Sequence, residues 1–145
     1  MVNVEIKKTP AQITRDREIT EFRTRITNCL SQHNLADAAS IYMELMQIDD
    51  SQVLSRQQQL DIANQLMSSG NWKQSADAYE KFMKQYGNSQ HHEQVELMLG
   101  ILYARYLNES EKAIEYLDRA RKALADPGQV KMCEDQLRKL GHNGH

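Results

Sequence analysis

Proline and glycine are scarce in this chain of 145 residues, two and six respectively, which leaves few places where a helix must break. There are only two cysteines, Cys29 and Cys133. They lie far apart, each inside an apolar helical pattern, the setting of reduced, buried thiols in a reducing compartment rather than of a disulfide framework. An excess of positive charge is also lacking. With a formal charge of −2 and a pI near 6.2, the chain has no basis for the electrostatic grip on a polyanion that nucleic-acid binding requires. No apolar run approaches the roughly 18 residues that cross a bilayer, since the longest, Leu97 to Leu107, is interrupted by Arg105. That excludes direct membrane insertion by this chain. The start, Met1 to Thr14, has no apolar stretch of the signal-peptide kind.

Catalytic and metal-binding patterns are equally thin. His92-Glu93-Gln94-Val95-Glu96 approaches a zinc-protease helix motif, yet Glu96 stands where a second His is needed. Cys29 and His33 share a helix face without an orienting acid, and His142 and His145 on a tail make no defined metal site. The scattered glycines build no phosphate-cradling loop. No catalytic residue, metal or cofactor is expected.

What the chain does have is a recurrence. Asn34, Ala39 and Tyr42 return as Asn71, Ala76 and Tyr79, and again as Asn108, Ala113 and Tyr116, each time after 37 residues. The same side-chain types at a fixed interval indicate one supersecondary unit copied and stacked. With 40% hydrophobic and 26% charged residues, composition is that of an ordinary globular chain, long enough to bury roughly 68 to 70% of its unfolded surface. The expected class is all-α.

Each repeated Asn is followed three residues later by Asp37, Gln74 or Glu111, the spacing of a box that opens a helix. Apolar positions then follow with a helical period: Leu35, Ala38, Ala39, Tyr42 and Leu45; Trp72, Ala76, Tyr79 and Phe82; Ala113, Ile114, Leu117 and Ala120. A first helix precedes each box. Its stripe is Ile19, Phe22, Ile26, Cys29 and Leu30 in the first copy, and Leu60, Ala63, Leu66 and Met67 in the second. The third stripe, Val95, Met98, Leu99, Leu102, Tyr103 and Tyr106, is broader, which predicts that the helix over 94–107 is the most enclosed. Asp126 and Pro127 stop one helix and open a seventh, whose narrow stripe of Val130, Cys133, Leu137 and Leu140 suits a terminal cap with a polar outer face. Residues 1–15 read as a flexible arm, either a linker from a longer chain or a frayed terminus. Residues 16–141 read as the helical repeat domain, and 142–145 as a disordered tail.

The second copy resembles a tetratricopeptide repeat through Ala63, Gly70, Trp72, Ser75 and Tyr79, and the third through Leu99, Gly100, Tyr103, Ala113 and Ala120. In the first copy Ala38 and Tyr42 match, while Ile26 occupies a small-residue position. The interval exceeds the family's 34 residues, Leu107 replaces a glycine, and the proline that closes a unit is missing after the first two copies. The resemblance implies a right-handed α-α superhelix of three helical hairpins plus a C-terminal capping helix. It further implies a concave groove, formed by the first helices, in which a partner peptide lies.

Carried over by position, the groove would present Arg23 and Thr27, then Gln57, Asp61 and Asn64, then Leu97, Met98, Ile101 and Arg105; the last apolar group reads equally well as core. The family's clamp for a chain-terminal carboxylate is not matched, because Asp61 and Met98 stand where it needs Asn and Arg. The run from Gln94 to Leu107 is also loosely similar to repeat-containing tails of bacterial rhomboid-type membrane proteins, which would make the chain a soluble appendage of a membrane-anchored protein. The function expected is a non-catalytic, cytoplasmic interaction scaffold for a protein or peptide, with self-association into a homodimer as the alternative.

Overall fold

The structure, a computed structural model, describes residues 7–141. Among these residues there are seven α-helices and no strand, so the chain is all-α. They are α1 (Pro10–Ser31), α2 (Leu35–Ile48), α3 (Arg56–Ser68), α4 (Trp72–Tyr86), α5 (His92–Ile101), α6 (Ser110–Ala123) and α7 (Pro127–Lys139). A π-helical turn, Leu102–Tyr106, continues α5. No described helix is long and apolar enough to cross a membrane. The chain divides into two compact units, one ending at Leu54 and the other beginning at Ser55.

In the first unit α1 packs on α2. The arm expected to reach residue 15 is helical from Pro10 onward; residues 1–6 and the expected tail 142–145 lie outside the described residues. The physical reason is a capping box upstream of the apolar pattern. Thr9 Oγ1 accepts from Gln12 N at 3.2 Å, Gln12 Oε1 accepts from Thr9 N at 2.8 Å, and Pro10 presets the first helical φ. Of the stripe on α1 only Ile26 is fully buried, against Ala38, Ala39, Tyr42 and Leu45 of α2. The connection after α2 folds back on α1. Asp49 accepts from Ser51 N at 3.0 Å, Ser51 Oγ at 2.6 Å and Gln52 Nε2 at 3.0 Å, and Arg23 donates to Gln52 Oε1 at 3.1 Å and Val53 O at 3.0 Å.

In the second unit α3 packs on α4, α4 on α5, α5 on α6 and α6 on α7. Small residues set how closely these helices approach. Ala63 and Ala76 are at most 1% exposed, as are Ala78, Ala113 and Ala120. The buried Ser75 and Gln59 donate to Ala63 O at 2.9 Å and Ala78 O at 3.0 Å, so neither hides an unsatisfied amide or hydroxyl. At Gly100 a Cβ would come within 2.6 Å of Leu117 side-chain atoms, which fixes glycine there and brings α5 onto α6. As its broad stripe predicted, α5 is enclosed on several sides, with Val95, Leu97, Leu99, Gly100 and Ile101 all buried.

The three Asn boxes are not equivalent. Asn34 accepts from Asp37 N at 3.3 Å, while Asp37 takes the Asn34 amide at 2.6 Å and leaves the cap's own N–H to Cys29 O. Asn71 begins α4 without a side-chain cap bond. Asn108 is no cap at all; Glu109 holds that place. The cause lies in the π turn. The residue that leaves the first helix in left-handed backbone is His33 (φ 59) in the first copy and Gly70 (φ 79) in the second. By the interval of 37 the third would be Leu107, whose Cβ opposes that conformation. The wider turn, with Leu107 N bonded to Leu102 O at 2.9 Å, takes up one residue and passes the strained position to Asn108 (φ 54).

Two outcomes follow from these local structures. Asn108→Val, which places a β-branched side chain in left-handed backbone, will destabilise the chain in urea by about 1–2 kcal/mol, whereas Asn108→Gly will be close to neutral. The bonds from Ser51 and Gln52 hold the Asp49 carboxyl down at about 2 from the usual 3.8, so its stabilising contribution is complete above pH 3.8 and is lost as pH falls through about 2. Carboxyl NMR will give Asp49 a midpoint near 2, and Asp49→Asn will remove that transition.

Candidate functional site

Helices α3, α5 and α7 border an open cavity of about 340 Å³ in the second unit, and α4 supplies part of its floor. The floor is apolar: Leu60 of α3, Tyr79 and Phe82 of α4, Val95 and Met98 of α5. Around it stand Arg56, Gln57, Asn64, Gln90, His91, Gln94 and Gln129. Helical spacing places Gln57, Leu60 and Asn64 along one side of α3, and Gln94, Val95 and Met98 along one side of α5. This is a cavity at the lower end of the size range of ligand pockets, with an apolar base and convergent polar groups.

The polar groups differ in how firmly they are held. The buried Tyr79 phenol donates to Asn64 Oδ1, which fixes the carboxamide and leaves its –NH₂ as a donor on the exposed side of α3. Burial pushes the Tyr79 phenol well above the ordinary tyrosine value, so it stays a donor at neutral pH. Gln57 Nε2 donates to Asp61 Oδ1 at 2.8 Å. No Asp or Glu lines the cavity.

Of the groove residues expected from sequence, Gln57, Asn64 and Met98 line this cavity together, with Asp61 bonded to Gln57 beside it. Leu97 and Ile101 do not; they are 1% and 6% exposed and belong to the core. Arg105 is exposed in the π turn, its guanidinium 5.7 Å from the Tyr106 ring centroid, and Tyr106 stacks on Trp72 at 3.8 Å. Arg23 and Thr27 belong to the first unit, where Arg23 is spent on the connection after α2 and Thr27 donates to Arg23 O at 3.0 Å. Sequence reasoning missed Arg56, Gln90, His91 and Gln129. Arg56 and Gln129 sit in first turns of helices whose starts carry no repeated signal, and Gln90 and His91 lie in the connection before α5. The left-handed His91 (φ 67) that ends this connection is not marked by glycine, so nothing in the composition flagged the turn.

A half-buried and a buried carboxylate, Glu80 and Glu96, lie elsewhere in the second unit. Glu80 on α4 accepts from the phenols of Tyr103 at 2.9 Å and Tyr116 at 2.7 Å, tying α4 to the π turn and α6. Burial first, and then Glu80, raise both phenols far above the usual tyrosine range, so they remain donors. Glu96, 4% exposed, bonds His92 Nδ1 at 2.7 Å through one oxygen, while its other oxygen has no hydrogen-bond partner among the described residues. Burial pushes the Cys133 thiol up to about 11, well away from a nucleophile's range. Among the described residues no group of three or more His, Cys, Asp or Glu is placed to hold a metal ion.

No protein-family model matches the chain, and no curated protein matches it significantly.

Proposed function

We propose that this chain is a non-catalytic interaction module: a right-handed, tetratricopeptide-like array of three helical hairpins closed by α7, which takes a peptide or protein segment of a partner into the groove bordered by α3, α5 and α7. In this reading the chain works in the cytoplasm, or on the cytosolic side of a membrane protein to which it is attached. The observation that carries it is the cavity. First helices of successive copies line it, as the resemblance implies for a groove, and its base is apolar while its rim is made of carboxamides and other hydrogen-bond donors. Carboxamides satisfy backbone N–H and C=O groups of an extended segment equally well, and the apolar base accepts its side chains. The 37-residue recurrence supports the stacked array.

Self-association draws less support. The large exposed apolar side chains Ile13, Leu35, Tyr106 and Met132 stand on four separate elements, the ordinary condition of a monomer's surface.

Selection of peptides from a random displayed library against the immobilised chain tests the reading. Selected peptides will move the NMR signals of Asn64, Gln94 and Met98, and the double variant Asn64→Ala/Met98→Ser will bind them at least about tenfold more weakly while remaining folded, with a stability loss of about 1–2 kcal/mol from the Tyr79 hydroxyl left without its acceptor. Failure to select any peptide, or signal changes confined to other surfaces, contradicts it.

A further inference from the structure

The cavity is asymmetric in charge, and that asymmetry bears on what it binds. The chain has 20 acidic residues and a net negative charge, yet none of the acids lines the cavity. The nearby carboxylates are engaged by their neighbours: Asp61 accepts from Gln57 at 2.8 Å, Asp126 from Gln129 N at 2.9 Å, and Glu93 lies within 3.9 Å of both His91 and His92. Arg56 does line it, and among the described residues its guanidinium has no hydrogen bond, ion pair or ring contact. The side chains of Gln90, Gln94 and Gln129 likewise keep their donors free. Arg56 is the first residue of α3 and His91 precedes the first residue of α5, so the positive ends of two helix dipoles without a side-chain cap border the cavity, while that of α7 is capped by Asp126.

We infer that the segment this groove takes is acidic: a polypeptide stretch in which a carboxylate side chain stands beside apolar ones, the carboxylate meeting Arg56 and the apolar side chains resting on Leu60, Tyr79, Phe82, Val95 and Met98. The inference rests on the groove reading above and names the partner's chemistry. A guanidinium at the rim pairs with a carboxylate in a two-pronged, charge-assisted contact. The apolar base a few residues along α3 fixes the spacing of the partner's side chains. Arg56 and Asn64, eight positions apart on α3, are separated by about 12 Å along the helix axis, the length of roughly four extended residues. Along that length a side-chain carboxylate at one end meets Arg56 while its neighbours rest on the apolar base, and the contact is assigned to a side chain rather than to a chain end.

The test uses three synthetic probes on the full chain: acetyl-Gly-Asp-Leu-Phe-Asp-Leu-Gly-amide, its counterpart with both Asp replaced by Asn, and the Asn peptide with a free terminal carboxylate. The Asp peptide will bind about fivefold more tightly than the Asn amide, as expected for one exposed charge pair, and this advantage will vanish in Arg56→Gln and shrink in 0.5 M salt. Arg56 has no protein partner to lose, so the variant will fold as the parent does. Equal binding of the Asp and Asn amides with signal changes at Asn64 and Met98 overturns the acidic preference and leaves the groove standing. Binding of the free-acid peptide alone overturns the side-chain assignment. Signal changes away from the cavity refute the groove reading itself, and no change with any probe at millimolar concentration overturns the acidic assignment, the library selection then deciding the groove.

Discussion

The close approach of α3 and α4 is the constraint on which the site depends. Ala63, Ala76 and Ala78 leave no side-chain bulk between the two helices, and Ser75 and Gln59 bond backbone carbonyls across the gap. At that separation the Tyr79 ring is almost wholly buried, yet its hydroxyl still reaches Asn64 on the exposed side of α3. One side chain thus belongs both to the core and to the floor of the cavity. Burying such a ring contributes on the order of 1.5–3 kcal/mol, which the cavity does not forfeit, because Tyr79 is only 1% exposed. The groove donors are therefore held by the same packing that holds the fold.

Much of the fold was legible because it is written in period and punctuation. Helical spacing of Ala76, Tyr79 and Phe82 located α4 and its buried side, and Asp126-Pro127 located the start of α7, where Asp126 accepts from Gln129 N at 2.9 Å. The misreadings have local causes. A capping box at Thr9 extended α1 through residues whose polar character suggested an arm, and the π turn displaced the third Asn by one position. Fixed-interval reasoning assumes that every helix spends the same number of residues per turn. Leu107, a residue that resists left-handed backbone, broke that assumption.

The candidate site was half legible. Gln57, Asn64 and Met98 follow from helical phase alone, since residues three and four apart share a side of the helix. Leu97 and Ile101 also fitted the groove in phase, but a broad apolar stripe cannot distinguish positions covered by neighbouring helices from those left open to the cavity until those helices are placed. Arg56, His91 and Gln129 come together only in three dimensions, at helix starts separated by many residues. Arg23 shows the reverse: a cation at the expected position is consumed by the connection after α2, whose length no motif announced.

The link between core and groove through Tyr79 is open to direct test. Titration of Tyr79→Phe and the parent chain with one library-selected peptide, alongside urea unfolding, separates the hydroxyl from the ring. The account predicts a stability loss near 1 kcal/mol, the net worth of one hydrogen bond, together with a three- to fivefold loss of affinity, roughly what freeing one positioned carboxamide costs. Unchanged affinity in a variant that has lost the stability would contradict it.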